Sequence, residues 1–119
     1  MSKRDARLFL EDILDAIKKV KRYTSNLTFH EFTKNDLISD AVIRNLEVIG
    51  EAARNIPPEI RNQYGTIDWR RVTGFRNIAI HAYFSVDLEI VWTIATQRLD
   101  ELESVITQIL NDIETEQSQ

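Results

Sequence analysis

The stretch Arg76-Asn77-Ile78-Ala79-Ile80-His81-Ala82-Tyr83 gathers a permanent cation, an amide, an imidazole and a phenol within one short run. Guanidinium groups hold phosphates and carboxylates, and imidazole, with an ordinary pKa of about 6.5, exchanges protons near neutrality. The surrounding pattern is helical. Projected at about 100° per residue, Val72, Phe75, Ile78, Ala79 and Ala82 share one arc, the expected core face. Off that arc, Arg76 and Tyr83 stand about 20° apart and Asn77 and His81 about 40° apart, with Ile80 between the pairs. No acidic residue occurs from Trp69 to Val86.

A solvated helix face normally carries Glu and Lys, so this composition suggests a surface that meets a second subunit, an anionic ligand, or both. The plainer alternative is that Arg76 pairs with a carboxylate of a neighbouring helix while His81 and Tyr83 cover the bundle. Arg76 and His81 lie about 140° apart and are separated by about 7.5 Å of helical rise, so one helix does not easily aim both at a single phosphate. Two copies packed about a two-fold axis would bring them into one cleft, with Ile80 sealing the contact.

Other residues carry weaker signals. Cysteine is absent, and the two histidines, His30 and His81, have no HExxH or Cys/His spacing, so no metal site is expected. Glu47 and Glu51 could be paired catalytic carboxylates, although an ion-pair ladder with Arg44 and Arg54 is the simpler reading. Gly50, inside a helical pattern, implies close approach of another helix or of substrate. Trp69 and Trp92 could stack on bases or fill core and interface. Lys18, Lys19, Lys21 and Arg22, with Arg70 and Arg71, could follow a nucleic-acid backbone or form a solvated cationic helix end.

Four amphipathic segments must position these residues. Leu10, Ile13, Leu14, Ile17 and Val20 mark a helix over residues 5 to 23, followed by a polar stretch through Thr33. Leu37, Ile38, Ala41, Val42, Val48, Ile49, Ala52 and Ile56 mark a second, which Pro57 and Pro58 end. Residues 59 to 66 suggest a short helical turn and a loop, and Asp68 is suited to cap a third helix from about Trp69 to Phe84. Ser85 or Asp87 can cap a long fourth helix through Leu88, Val91, Ala95, Leu99, Leu102, Ile106, Ile109 and Ile113, before a polar flexible tail from about residue 115.

The expected fold is therefore all-α: a single-domain, up-and-down bundle of four main helices plus a short helical turn spanning residues 1 to 119. At 119 residues, with 43% apolar and 29% charged residues, three glycines and two prolines, the chain fits neither disorder nor a turn-rich sandwich. The net charge of −4 makes any nucleic-acid contact local. Lys/Arg outnumber Asp/Glu 14 to 11 in residues 1 to 84, whereas the ratio is 1 to 8 beyond, where a solvated outer face or an acidic partner surface is expected. Glu11 and Asp12 interrupt the early apolar run, so the reading is a soluble, cytoplasmic protein without a membrane span.

The segment Arg76 to Tyr83 matches the Arg-x4-His-x-Tyr signature of HepT-like proteins in the HEPN superfamily, and the resemblance covers nearly the whole chain. Arg44-Asn45-Leu46-Glu47-Val48-Ile49-Gly50-Glu51-Ala52-Ala53 resembles the family's second-helix segment, and Ile67-Asp68-Trp69 its lead into the third. The resemblance implies a helical bundle that dimerises as a ribonuclease toxin acting on RNA, encoded beside an MNT-type minimal nucleotidyltransferase antitoxin. It assigns catalysis to Arg76 and His81, a supporting role to Asn77, and AMP modification by the antitoxin to Tyr83. It calls for neither cofactor nor metal. Ala82 replaces the polar or acidic residue that relatives often carry there. A non-catalytic scaffold for the nucleotidyltransferase is the alternative function.

Overall fold

A computed structural model describes residues 3 to 117 except 85 and 86; at residues 3, 4, 83, 84 and 117 only the backbone is described. Among the described residues eight α-helices and one π-helical turn follow one another: α1 (Lys3–Thr24), α2 (Phe29–Thr33), α3 (Asp36–Arg54), α4 (Pro58–Gln63), α5 (Trp69–Thr73), α6 (Phe75–Phe84), α7 (Leu88–Thr93), the π turn (Ile94–Arg98) and α8 (Leu99–Gln117). No strand occurs among the described residues. The bundle is all-α, built on four long paths: α1, α3, α5 with α6, and α7 through α8. Helix α3 is central, lying against α1 on one side and α5 and α6 on the other, while α8 packs on α1.

The buried side chains form one continuous cluster. From α1 come Leu10, Ile13, Ile17 and Val20, and from α3 come Val42, Leu46 and Ile49, all fully buried. Leu37, expected on the buried stripe, is instead 83% exposed. The buried phase of α3 runs through Ser39, Val42, Ile43, Leu46, Ile49, Gly50 and Ala53. Leu37 lies about 200° from Ser39 in that phase, on the far side of the helix.

Three boundaries differ from expectation. Thr28 accepts from the Glu31 backbone N–H while Glu31 accepts from the Thr28 N–H, a capping box that starts α2 within the supposed polar loop. Its Phe32 is fully buried and lies 5.1 Å, centroid to centroid, from Trp92. The third path breaks for one residue at Gly74, although the Ile78 N–H still reaches the Gly74 carbonyl at 3.1 Å. Helix α8 extends to Gln117, past the expected start of the tail, because Glu and Gln are good helix formers.

In the fourth path the buried residues Val91, Ala95 and Leu99 are spaced by four. Each such step overshoots an α-helical turn by about 40°. The wider π turn over Ile94–Arg98 takes up that drift and keeps the three on the core side. The expected capping residues are found where they can be described: Asp68 accepts from the Arg71 N–H and Asp87 from the Ile90 N–H. Ser85, the other candidate for that second cap, lies outside the described residues.

Much of the acidic C-terminal charge is used within the fold. Lys21 of α1 bonds Asp100 and, at 2.7 Å, Glu103 of α8. Burial alone would lower the Lys21 pKa, but the two carboxylates outweigh it and hold it above its ordinary value. Between α4 and α8, the Tyr64 hydroxyl donates to Asp112. Burial, that bond, and the charges of Asp112 and Glu116 push the Tyr64 pKa from 10.0 up to about 12.

A raised phenol pKa means that the folded chain keeps a proton which the unfolded chain releases above pH 10. Stability from this group is complete below pH 10 and declines as the pH rises toward 12. Tyr64→Phe should therefore flatten the fall in denaturant midpoint across that range. An unchanged alkaline slope would show that the Tyr64–Asp112 bond does not couple folding to pH.

Candidate functional site

Helix α6 divides as its periodicity predicts. Phe75, Ala79 and Ala82 are buried, as is Val72 of α5, whereas Ile78, assigned to the same face, is half-buried. On the other side Asn77 and His81 are exposed, and Arg76 and Ile80 are half-exposed. Tyr83 belongs to α6 by its backbone, but its side chain lies outside the described residues. The structure thus brings Arg76, Asn77 and His81 to one exposed helix surface and keeps them out of the core.

Gly50 of α3 governs how α6 is seated. A Cβ built there would stand 2.6 Å from the Arg76 backbone nitrogen and 3.1 Å from both the Arg76 Cβ and the Thr73 carbonyl oxygen. The sequence offered helix or substrate as the reason for this glycine, and the helix is found. The contact falls at the α5–α6 junction, beside the one-residue break at Gly74.

One residue further along α3, Glu51 Oε2 lies 2.8 Å from Arg76 Nε. The carboxylate partner considered for Arg76 therefore exists. With the two side chains 40% and 50% exposed, the pair is an open one, worth about 0–1 kcal/mol, and orients the guanidinium more than it binds it. Glu51 also faces Arg54 at 3.9 Å, and Glu47 faces Arg44 at 3.5 Å, so the ladder reading of the two glutamates holds. That the neighbouring-helix carboxylate is Glu51 is new; its signal in the sequence is the adjacent Gly50, which lets the two backbones meet.

The remaining candidates resolve into structural roles. Trp69 is buried and its indole N–H donates to the Tyr64 carbonyl at 3.1 Å. Trp92 packs on Phe29 and Phe32. His30 is exposed on α2, and among the described residues no group of three or more His, Cys, Asp or Glu is arranged to hold a metal ion. No described helix is long and apolar enough to cross a membrane.

Three of the four cations near the end of α1 are engaged: Lys19 with Asp15 at 3.3 Å, Lys21 with α8, and Arg22 over the Tyr23 ring at 5.3 Å. By contrast, Arg76 and Asn77 border an open hollow of about 360 Å3, together with Arg54, Arg70, Thr73 and Gly74. A hollow walled by three arginines is suited to an anionic substrate.

Residues 13–109 match the model of the family described as Ribonuclease HepT-like. Two proteins of Methanocaldococcus jannaschii, each named "putative RNase", are 40% and 41% identical to the chain. They align over 98% and 96% of it and over 96% and 94% of their own lengths. A protein of Thermococcus cleftensis named "probable ribonuclease HepT" is 40% identical over 76% of this chain and 82% of its own. No solved structure matches the chain.

Gly50→Ala tests the seating of α6. Alanine is the better helix former by about 1 kcal/mol, yet its methyl group would meet backbone rather than a movable side chain. Overpacking of this kind costs about 1–3 kcal/mol. The variant should have a lower denaturant midpoint than the parent; a gain in stability would mean that α6 yields freely at this contact.

Proposed function

The chain belongs to the Ribonuclease HepT-like family and is a ribonuclease of that family; on this premise we propose that it is a toxin that cleaves RNA without a metal, using Arg76 and His81. The observation that carries this reading is the segregation on α6. The motif's Arg, Asn and His stand outside a fully formed core, where none is needed for packing, and the Arg and Asn border a cationic hollow.

The RNA supplies its own nucleophile. His81 accepts the proton of a ribose 2′-hydroxyl as that oxygen bonds to phosphorus. The bond to the 5′-oxygen breaks, and the imidazolium gives the leaving oxygen its proton. Arg76 holds the phosphate and the negative charge that gathers on it in the transition state. With Nε set against Glu51, its two terminal nitrogens are the groups that meet the phosphate. Asn77, one residue on, supports the same phosphate as a hydrogen-bond donor. The products are a 2′,3′-cyclic phosphate and a 5′-hydroxyl, and DNA, lacking the attacking group, is not a substrate.

The active form is a homodimer. Along α6, Arg76 and His81 are separated by about 7.5 Å of rise and by about 140° of turn. A second copy packed on the half-exposed Ile80 closes that separation by setting the Arg76 of one chain against the His81 of the other. Regulation belongs to an MNT-type nucleotidyltransferase antitoxin that attaches AMP to Tyr83. The added phosphate competes for the Arg76 charge and the nucleoside obstructs the cleft.

Arg76→Ala and His81→Ala should each abolish cleavage of RNA while keeping the parent's circular dichroism spectrum and thermal midpoint. Mixed together, they should recover part of the activity through heterodimers. A folded His81→Ala protein with full activity would remove the catalytic assignment, and an active monomer by light scattering would remove the shared cleft.

Incubated with the antitoxin and ATP, the parent should gain AMP mass and stop cleaving RNA, whereas Tyr83→Phe should gain no mass and stay active. Equal AMP addition to both proteins would exclude Tyr83 as the acceptor.

A further inference from the structure

The hollow beside Arg76 does not stand alone. Arg54, one of its walls, also borders a second hollow of about 320 Å3 whose lining includes Arg61. Arg61 and Pro58 then border a third, of about 350 Å3, that reaches Trp69. The three share walls in turn and so lie side by side, a stepped depression along α6, the end of α3, and α4. Among the described residues lining it, the only carboxylate is Glu59.

The arginines along this depression are poorly neutralised. Arg54 has Glu51 at 3.9 Å, but that carboxylate is 2.8 Å from Arg76 and cannot balance both. Arg70 is exposed, and neither it nor Arg61 has an ion pair among the described residues. Arg61 Nε is buried with no hydrogen-bond partner, an arrangement that leaves a donor of a charged group unsatisfied. Lys19 and Lys21 of α1, by comparison, each bond carboxylates within the fold. In a chain of net charge −4, a run of guanidinium groups in which Arg70 and Arg61 are unpaired and Arg54 and Arg76 share one carboxylate is a local positive field.

We infer that Arg70, Arg54 and Arg61 form a track that carries the phosphates of a single-stranded RNA away from the bond cleaved at Arg76. This inference rests on the ribonuclease reading for its starting point and extends it to substrate binding outside the cleavage site. The order suits a strand leaving the cleaved bond: Arg70 of α5 and Arg54 of α3 line the same hollow as Arg76, and Arg61 of α4 lines the next one. Guanidinium groups grip phosphate oxygens with two parallel donors, which a lysine cannot reproduce. The strand is single because regular duplex stacking holds each 2′-oxygen out of line with the leaving 5′-oxygen. The track reads backbone and not bases, so it confers a preference for length and not for sequence.

The test is the salt dependence of binding. A labelled single-stranded oligoribonucleotide is titrated with the His81→Ala protein at several salt concentrations. Arg54→Gln, Arg61→Gln and Arg70→Gln, each added to that protein, should reduce the slope of log affinity against log salt by about 0.7, the value for one phosphate contact on a single strand. Lys18→Gln, an equal loss of charge on α1, should leave the slope as it was. In the active protein, each arginine variant should lower the ratio of cleavage of a long oligoribonucleotide to cleavage of a dinucleotide.

Slopes identical to the parent's in the three variants, or an equal reduction in Lys18→Gln, would overturn the track. So would a binding loss seen with an acidic polypeptide and not with RNA, which would assign the surface to a protein partner. The ribonuclease reading fails separately: a parent protein that cleaves neither substrate while the slopes still differ would retain the track as an RNA-binding surface and lose the nuclease.

Discussion

At Gly50 the backbones of α3 and α6 pass so closely that an added Cβ would stand 2.6 Å from the Arg76 nitrogen. A glycine inside a helix sacrifices about 1 kcal/mol relative to alanine, and here the compensation is visible. The missing side chain lets α6 settle on α3, so that Phe75 and Ala79 enter the core and the opposite face is turned outward. The same close passage brings Glu51 within 2.8 Å of Arg76. The orientation of the proposed phosphate-binding group therefore follows from a backbone contact, and the ion pair refines what that contact has already set.

Charge is distributed by the same packing. Helix α8 is strongly acidic, yet Asp100, Glu103 and Asp112 reach back to Lys21 and Tyr64 instead of forming a uniform outer field. The acid is thereby turned to Lys21 and Tyr64, neither of which lines the depression beside Arg76. An acidic protein can keep a positive surface for RNA in this way, because attraction at contact depends on the nearest unpaired charges and screening removes the influence of groups more than about 10 Å away. The net charge of the chain and the charge of its site have opposite signs for that reason.

The tryptophans illustrate how little a residue type decides by itself. Either could have stacked on a base. Trp69 is buried with its indole N–H bonded to the Tyr64 carbonyl, which fixes the start of α5 against the loop after α4. Trp92 closes α2 onto α7 through Phe29 and Phe32. Trp69 braces α5, which carries Arg70, and Trp92 braces helices without arginines, so the affinity for RNA proposed for this surface comes from guanidinium groups and not from exposed indoles.

The sequence by itself determined the helical class, the four long amphipathic paths, the core face of α6 and the outward position of Arg76, Asn77 and His81. These follow from a period of about 3.6 residues, which is local and survives in any helix. The capping box of Thr28 and Glu31 was equally local and could have been read. Tertiary structure alone decided that Leu37 faces solvent, that the third path breaks at Gly74, that a π turn corrects the phase before α8, and that Glu51 joins Arg76. Each depends on which face of one helix meets another and at what distance. Such pairings link residues far apart in the chain, and no periodicity within a single segment encodes them.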